Sequence, residues 1–255
     1  MMDIYYMIVL FIFGTIFGSF YNVVGDRLPE GKSIIKPSSH CPKCGHKLAP
    51  LELIPIFSYL LQKGKCKNCS SKIPVMHPLF ELASGLLFAL AYLSFKLTPQ
   101  LLIALTFISI LLIIFISDIE YMIIPDEVLI VGLIILAIEK LFIFGIGNVL
   151  YSLVDGLICF IIMYLLKLLG DFLFKKESMG GGDIKLLFVF GFVLGWPMAI
   201  ISIFVGSIIG LPLSLIVVAK KLPHEIPFGP LLSLGAVIIL LLQINIDKVL
   251  NLFQV

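Results

Sequence analysis

Charge is scarce in this 255-residue chain: Asp, Glu, Lys and Arg make up 13% of it, against 60% hydrophobic residues, and the mean hydropathy is +1.14. That deficit excludes a soluble domain, which must cover its surface with polar groups. A formal net charge of +2 excludes the broad basic surface that a nucleic-acid partner requires. Internal repeats and low-complexity tracts are lacking as well. The first apolar run has no basic n-region of the kind that opens a secretory signal: Asp3 stands there, positive charge follows the run, and no small-residue cleavage site is evident. It is therefore expected to remain as a first membrane span.

What the chain has in abundance is apolar stretches of about 20 residues, each enough to cross a hydrocarbon core of roughly 30 Å. They predict an all-α polytopic membrane protein with about eight transmembrane helices, over Ile4–Val24, His77–Phe95, Leu101–Ser117, Glu127–Phe144, Val149–Leu169, Ile184–Trp196, Met198–Val218 and Leu231–Leu250. Lys and Arg concentrate on the cytosolic loops of membrane proteins. Here they cluster after the first span (Arg27, Lys32, Lys36, Lys43, Lys47, Lys63, Lys65, Lys67, Lys72), after the fifth (Lys167, Lys175, Lys176, Lys185) and after the seventh (Lys220, Lys221). Only Lys96, Lys140 and Lys248 fall on the other side. The pattern predicts an external amino terminus and an even number of spans.

One polar insertion, residues 25–76, separates the first predicted span, residues 1–24, from the rest, residues 77–255. It is too long for a passive turn and too small for a generous core of its own, so it needs a staple. "CPKCGHKL" and "GKCKNC" supply one: Cys41, Cys44, Cys66 and Cys69 form two CxxC pairs with the spacing of a structural zinc site. Two disulfides are the alternative, and the reducing cytosol predicted for this loop argues against them. His40 and His46 flank the first pair but are not needed when four thiolates are available. Cys159, alone in an apolar run, reads as a core thiol. The Pro-rich connection "KLPHEIPFGP" should redirect the chain between spans seven and eight, and no chemistry is assigned to it, His224 and Glu225 included.

Ionisable groups at membrane depth are costly and call for an explanation. Asp118 closes span three, Asp126 opens span four within "IIPDE", and Asp183 opens span six directly behind Gly180, Gly181 and Gly182. Span three runs inward and span six outward, so Asp118 and Asp183 reach the same cytosolic lip. Two carboxylates that share a site do not both ionise readily, and such a pair can activate a water while protonating a carbonyl. This is the chemistry of aspartic peptide hydrolysis, with macroscopic pKa values that belong to the pair. The glycines could admit positive φ, close backbone approach and free amides for an extended substrate. The other reading is a flexible turn with Asp183 as helix cap. Asp126 suits a helix entry after Pro125, Glu120 reads as an edge charge, and Asp155 is left open between a polar contact and a pathway residue. Lys185 is either an interfacial anchor or a contributor to the site.

"GSFYNVVGDRLP", "SSHCPKCGHKL", "ELIPIFSYL", "GKCKNC", "HPLFEL", "SDIEYMIIPD" and "GGGDIKLL" occur in an order that resembles the bacterial prepilin peptidases, type IV leader peptidases of the GxGD aspartic protease class. The resemblance implies a bifunctional enzyme of the bacterial cytoplasmic membrane, with zinc and S-adenosylmethionine as cofactors. It would cut the leader from prepilins or pseudopilins after a glycine at the cytosolic face and then methylate the new amino terminus. It assigns catalysis to Asp118 and Asp183, zinc to Cys41, Cys44, Cys66 and Cys69, and an influence on methyl transfer to Gly64 and Lys65. Glu52 and Glu81 match family motif positions without an assigned role. No Gly-rich strand–helix unit of the usual methyltransferase kind is present, which points to the cysteine insertion as the neighbourhood of the donor site. A transporter that uses paired carboxylates as a proton relay, and an idle scaffold that presents a zinc module, are the alternatives from other classes.

Overall fold

The computed structural model describes residues 2–219 and 227–246. Lys220, Lys221, His224, Glu225, Lys248 and the end of the eighth predicted span lie outside the described residues. Two compact units divide the chain, Met1–Leu97 and Thr98–Val255.

In the first unit, helix α1 (Met2–Arg27) packs along α3 (Met76–Phe95), and between them lie a 3₁₀ turn (Pro50–Leu53), the short helix α2 (Phe57–Leu61) and two cysteine ribbons. The pair is antiparallel. At one end Asp3 accepts from the Tyr92 hydroxyl (2.7 Å) and the Lys96 ammonium (3.2 Å), and at the other the Asn22 amide donates to the His77 carbonyl (3.1 Å). The backbones come close where side chains vanish: a Cβ on Gly18 would lie 2.8 Å from Ser84 Cβ, and one on Gly85 would lie 2.7 Å from Thr15 Cγ2. Small residues facing one another are how membrane helices gain van der Waals contact without a hydrophobic drive between them.

The second unit contains α4 (Pro99–Tyr121), α5 (Asp126–Phe144), α6 (Ile146–Phe174), α7 (Gly181–Leu194), α8 (Trp196–Ala219) and α9 (Phe228–Leu241). Helix α4 is more enclosed than α6, with 61% of its most apolar stretch buried against 28%. Phe107 on α4 and Phe190 on α7 meet edge to face at 5.7 Å, a geometry that suits the ring quadrupoles. Fully buried Leu136, Met163 and Leu232 bring α5, α6 and α9 into the same core.

Every predicted apolar run forms helix over most of its described length, and no β-strand forms among the described residues. Four helices, α1, α3, α4 and α6, are long and apolar enough to cross a membrane by length and composition. Helices α7 and α9 have 14 residues each, about 21 Å at 1.5 Å per residue. The eighth run stops being helical at Leu241, earlier than its apolar sequence suggests, where Gln243 takes a positive φ of 48°. Trp196 opens α8 and does not close α7, because Gly195 at φ 81° breaks the chain just before it.

Buried charge also appears where hydropathy gave no warning. Lys140, read from the sequence as a residue of the external side, is buried and donates to Ser152 Oγ (2.7 Å) and the Phe192 carbonyl (2.5 Å), with its ammonium over the Phe192 ring. Glu139 beside it accepts from the Thr106 hydroxyl at 2.7 Å. Asp155 lies close enough to Lys140 to feel its charge and accepts a hydrogen bond from the Trp196 amide, so it acts as a polar contact between α6 and the start of α8. Cys159 is buried as expected, against Gly191 and the Trp196 carbonyl.

Candidate active site and metal centre

The two cysteine pairs are copies of one ribbon, residues 39–48 and 64–73. In the first, the Cys41 amide donates to His46 O, the Gly45 amide to Cys41 O and the Leu48 amide to Ser39 O. In the second, Cys66 donates to Ser71 O, Ser70 to Cys66 O and Ile73 to Gly64 O. Isolated bridges His40–Lys47 and Lys65–Lys72 match as well, as do the left-handed turns at Gly45 (φ 68°) and Ser70 (φ 56°). The absence of any repeat, expected from the sequence, is thereby corrected. Ten residues with two shared cysteines are too few to register as a repeat until their hydrogen bonds are compared.

Together the ribbons bring four Sγ atoms within 4.8 Å of one another, with Cys41–Cys69 at 3.8 Å and Cys44–Cys66 at 3.9 Å. Thiolates about 2.3 Å from a tetrahedral zinc lie about 3.8 Å apart, whereas disulfide sulfurs bond at about 2.0 Å. The donor set therefore fits zinc, and all four cysteines are free of disulfides. The Ser71 hydroxyl, with the amides of Cys44 and Lys43, brings the Cys41 thiol down to about 6, and Ser71 also holds Cys69 below the ordinary thiol range. The histidines are engaged elsewhere: His40 Nδ1 contacts Ser38 O, and His46 Nε2 lies 3.0 Å from Glu52 Oε2.

In the second unit, the end of α4 and the starts of α5, α7 and α9 converge. Asp118, in the last turn of α4, is 6% exposed, and Asp183, in the first turn of α7, is 8% exposed. They lie close enough for the charge of Asp118 to bear on Asp183. Helix α4 ends with Met122 in the left-handed region (φ 54°), and the Ser117 hydroxyl ties back to the Ile123 carbonyl at 2.6 Å, which turns Ile124 inward. A Cβ on Gly182 would lie 2.9 Å from Ile124 Cβ, and one on Gly229 would lie 3.4 Å from Ile124 Cδ1. Ile124 thus wedges between the starts of α7 and α9.

Gly180, Gly181 and Gly182 all have ordinary φ, so positive φ is not why they are glycine. Gly182 gives room to Ile124, and Gly181 has open space around it. The cap of α7 is Gly180, while Asp183 sits three residues further on and is buried. The cap reading of Asp183 is therefore not what the helix start displays. Asp126 and Lys185 form an exposed ion pair, the ammonium within 2.7 Å of both carboxylate oxygens. Glu120 is exposed.

The feature sequence reasoning missed is on α9. The Gly229 amide donates to Asp118 Oδ2 at 3.0 Å, and a Cβ there would stand 2.7 Å from that oxygen. Gly229 is the second residue of α9, where backbone amides have no partner within the helix. The available signal was "PFGP", a glycine between prolines at a helix start, which had been read only as a connection.

An exposed Asp126–Lys185 pair, at 55% and 50% side-chain exposure, contributes about 0–1 kcal/mol in water. Asp126→Asn is accordingly expected to keep proteolytic turnover within about tenfold of wild type; a loss as deep as that of an Asp118 variant would move Asp126 into the catalytic set.

Buried acids at adjoining helix ends, a tetrathiolate cluster that could hold a metal ion and long apolar helices are in keeping with a membrane aspartic peptidase, and the sequence comparisons agree. Residues 12–95 match the Bacterial Peptidase A24 N-terminal domain, and residues 105–215 match the Type IV leader peptidase family. The chain belongs to the type IV leader peptidase family. It is 40% identical over 235 residues to a prepilin leader peptidase/N-methyltransferase of Bacillus subtilis (strain 168), covering 90% of this chain and 92% of that one. A protein of the same name from Pseudomonas aeruginosa is 33% identical over 261 residues, covering 89% and 87%. One from Myxococcus xanthus is 34% identical over 191 residues, covering 75% of this chain and 57% of that one. No solved structure matches the chain.

Proposed function

We propose that this protein is a membrane aspartic endopeptidase and N-methyltransferase that removes the leader of type IV prepilins or pseudopilins after a glycine and then methylates the new amino terminus. The observation that carries the reading is the pair of buried carboxylates, Asp118 and Asp183, at adjoining helix ends, the second directly behind the three glycines that open α7. The transporter alternative finds no support among the relatives.

Within this reading, the amino terminus lies outside, and the pair works at the cytosolic face of the bacterial inner membrane. A water between the carboxylates loses a proton to one of them and attacks the scissile carbonyl, while the other donates a proton to its oxygen. Asp118 is suited to be the base, because its Oδ2 is already taken by the Gly229 amide, and a hydrogen bond to a carboxylate favours the charged form. Asp183 is then the acid. The open space around Gly181 gives an extended substrate backbone room beside the pair.

S-adenosylmethionine, when bound, would supply an electrophilic methyl group for the new α-amine. An α-amino group with a pKa near 7.7–8.0 is already partly neutral, so positioning accounts for much of the acceleration. Gly64 and Lys65 belong to this half of the chemistry. Gly64 is held at φ 69° with the Tyr59 hydroxyl 2.8 Å from where a Cβ would be, so it acts by seating Tyr59.

Incubation with a prepilin, followed by mass measurement of its amino terminus, tests both activities together. The role of α9 has its own test. Gly229→Ala pushes a methyl against Asp118 Oδ2, and a misplacement on the order of 1 Å costs about a hundredfold. The loss is expected in kcat with KM little changed; a variant with wild-type kcat would remove Gly229 from the positioning of Asp118.

A further inference from the structure

Helix α7 carries one of the two acids, yet its own sequence does little to fix where it sits. From Ile184 to Leu194 the only polar side chain is Lys185. A helix that is apolar all round is simply buried, and sliding or turning it in its slot exchanges one set of apolar contacts for another. Its register has to come from directional contacts, and these gather at its far end.

There Gly195, at φ 81°, separates α7 from α8. The last carbonyls of one helix and the first amides of the next have no partner within their own helices. Two of them are met by side chains from other helices: the Phe192 carbonyl accepts from Lys140 on α5 at 2.5 Å, and the Trp196 amide donates to Asp155 on α6. A cation thus faces the C-terminal end of α7 and an anion the N-terminal end of α8, the signs that the helix dipoles favour. Lys140 is further fixed by Ser152 Oγ on α6, at 2.7 Å, and by the Phe192 ring, whose centroid lies 4.9 Å from its ammonium.

The residue before Lys140 reaches the other helix of the acid pair. Glu139 accepts from the Thr106 hydroxyl of α4 at 2.7 Å, and α4 ends in the turn that holds Asp118. Successive side chains on a helix point about 100° apart, so α5 holds α4 with one charge and α7 with the next. Stability alone does not account for them. Both are buried, Glu139 Oε2 has no hydrogen-bond partner, and apolar side chains of similar volume in place of buried charges are often neutral or stabilising. Specifying register is the best-attested use of such groups, and ionisable residues at membrane depth call for a functional account.

We infer that Glu139 and Lys140 are positioning residues for peptide cleavage, adjacent charges on α5 that hold α4 and α7 in register and so set the spacing of Asp118 and Asp183. This role rests on the peptidase half of the proposed function. Neither residue touches the reacting atoms. Phe192 lies nine residues along α7 from Asp183, about 14 Å at 1.5 Å per residue, so a helix that slips at its far end carries the carboxylate with it.

The test uses the full-length, zinc-loaded protein in detergent, with a prepilin as substrate. Lys140→Met keeps the side-chain length and removes the ammonium. Its kcat is expected to fall roughly ten- to hundredfold with KM within about twofold, since a misplacement on the order of 1 Å costs about a hundredfold. The bell-shaped pH profile of kcat should also narrow, because carboxylates moved apart split each other's titration less; a protein that is only less folded would lose amplitude and keep the shape. Lys140→Met/Asp155→Asn leaves no buried charge unpaired and keeps an acceptor for the Trp196 amide. It should unfold near the wild-type temperature and remain as slow as Lys140→Met. Glu139→Gln keeps an acceptor for Thr106 and should exceed Glu139→Leu in kcat by about tenfold or more. Wild-type kcat and pH profile in Lys140→Met, full recovery in the double variant, or equal rates for the two Glu139 variants would overturn the assignment. Native protein that leaves prepilin whole would overturn the peptidase reading itself, whereas native protein that cleaves, beside Lys140 variants that cleave equally well, overturns only the register.

Discussion

Asp183→Asn and Asp118→Asn are each expected to lower the rate of leader cleavage by at least about a thousandfold, with the protein still inserted in the membrane and its zinc retained. General acid–base catalysis by one positioned group contributes about 10²–10⁴-fold, and groups that act as a unit lose nearly as much singly as together. The double variant should therefore be scarcely slower than either single one. Both carboxylates are buried at helix ends, so an amide of the same shape disturbs packing little. Cleavage by purified variants of a prepilin, followed by gel mobility and mass, measures the effect. Full activity of either variant would remove that residue from the site, and additive losses would argue against a shared water.

The second large effect concerns the metal. Structural zinc contributes about 10–16 kcal/mol to the folding of small zinc modules, and residues 39–48 and 64–73 have little apolar core to replace it: the Cys44 and Cys69 side of the cluster is exposed. Purified protein is expected to carry one zinc. Chelation, or replacement of Cys41, Cys44, Cys66 and Cys69 by Ser, should make residues 25–76 sensitive to protease. The helices α4 to α9 belong to a separate compact unit and should stay resistant. Metal-free protein that resists proteolysis as the native protein does would contradict the zinc staple.

Much of this was legible because it is written in residue types. Long apolar runs gave the helices, and four thiols at knuckle spacing gave the metal module. Asp118 and Asp183 stood out because a carboxylate at the end of an apolar run is rare. What could not be read is carried by groups every residue possesses or by contacts distant in sequence. The Gly229 amide reaches Asp118 across 111 residues, and an amide leaves no mark in a sequence. Ile124 is one more apolar residue until its place between Gly182 and Gly229 is known. Lys140 looked like a topological marker, but its length lets it reach Ser152 and the Phe192 carbonyl within the core.

The shortness of α7 and α9 has a physical consequence for the access of water. At 14 residues each, neither can match a hydrocarbon slab of roughly 30 Å, and both are enclosed by neighbouring helices over most of their length. Their first turns carry Asp183 on one and, on the other, the Gly229 amide that holds Asp118. A helix end that stops short inside protein can open onto water at membrane depth, and water arriving there would wet the carboxylates without any channel through the protein.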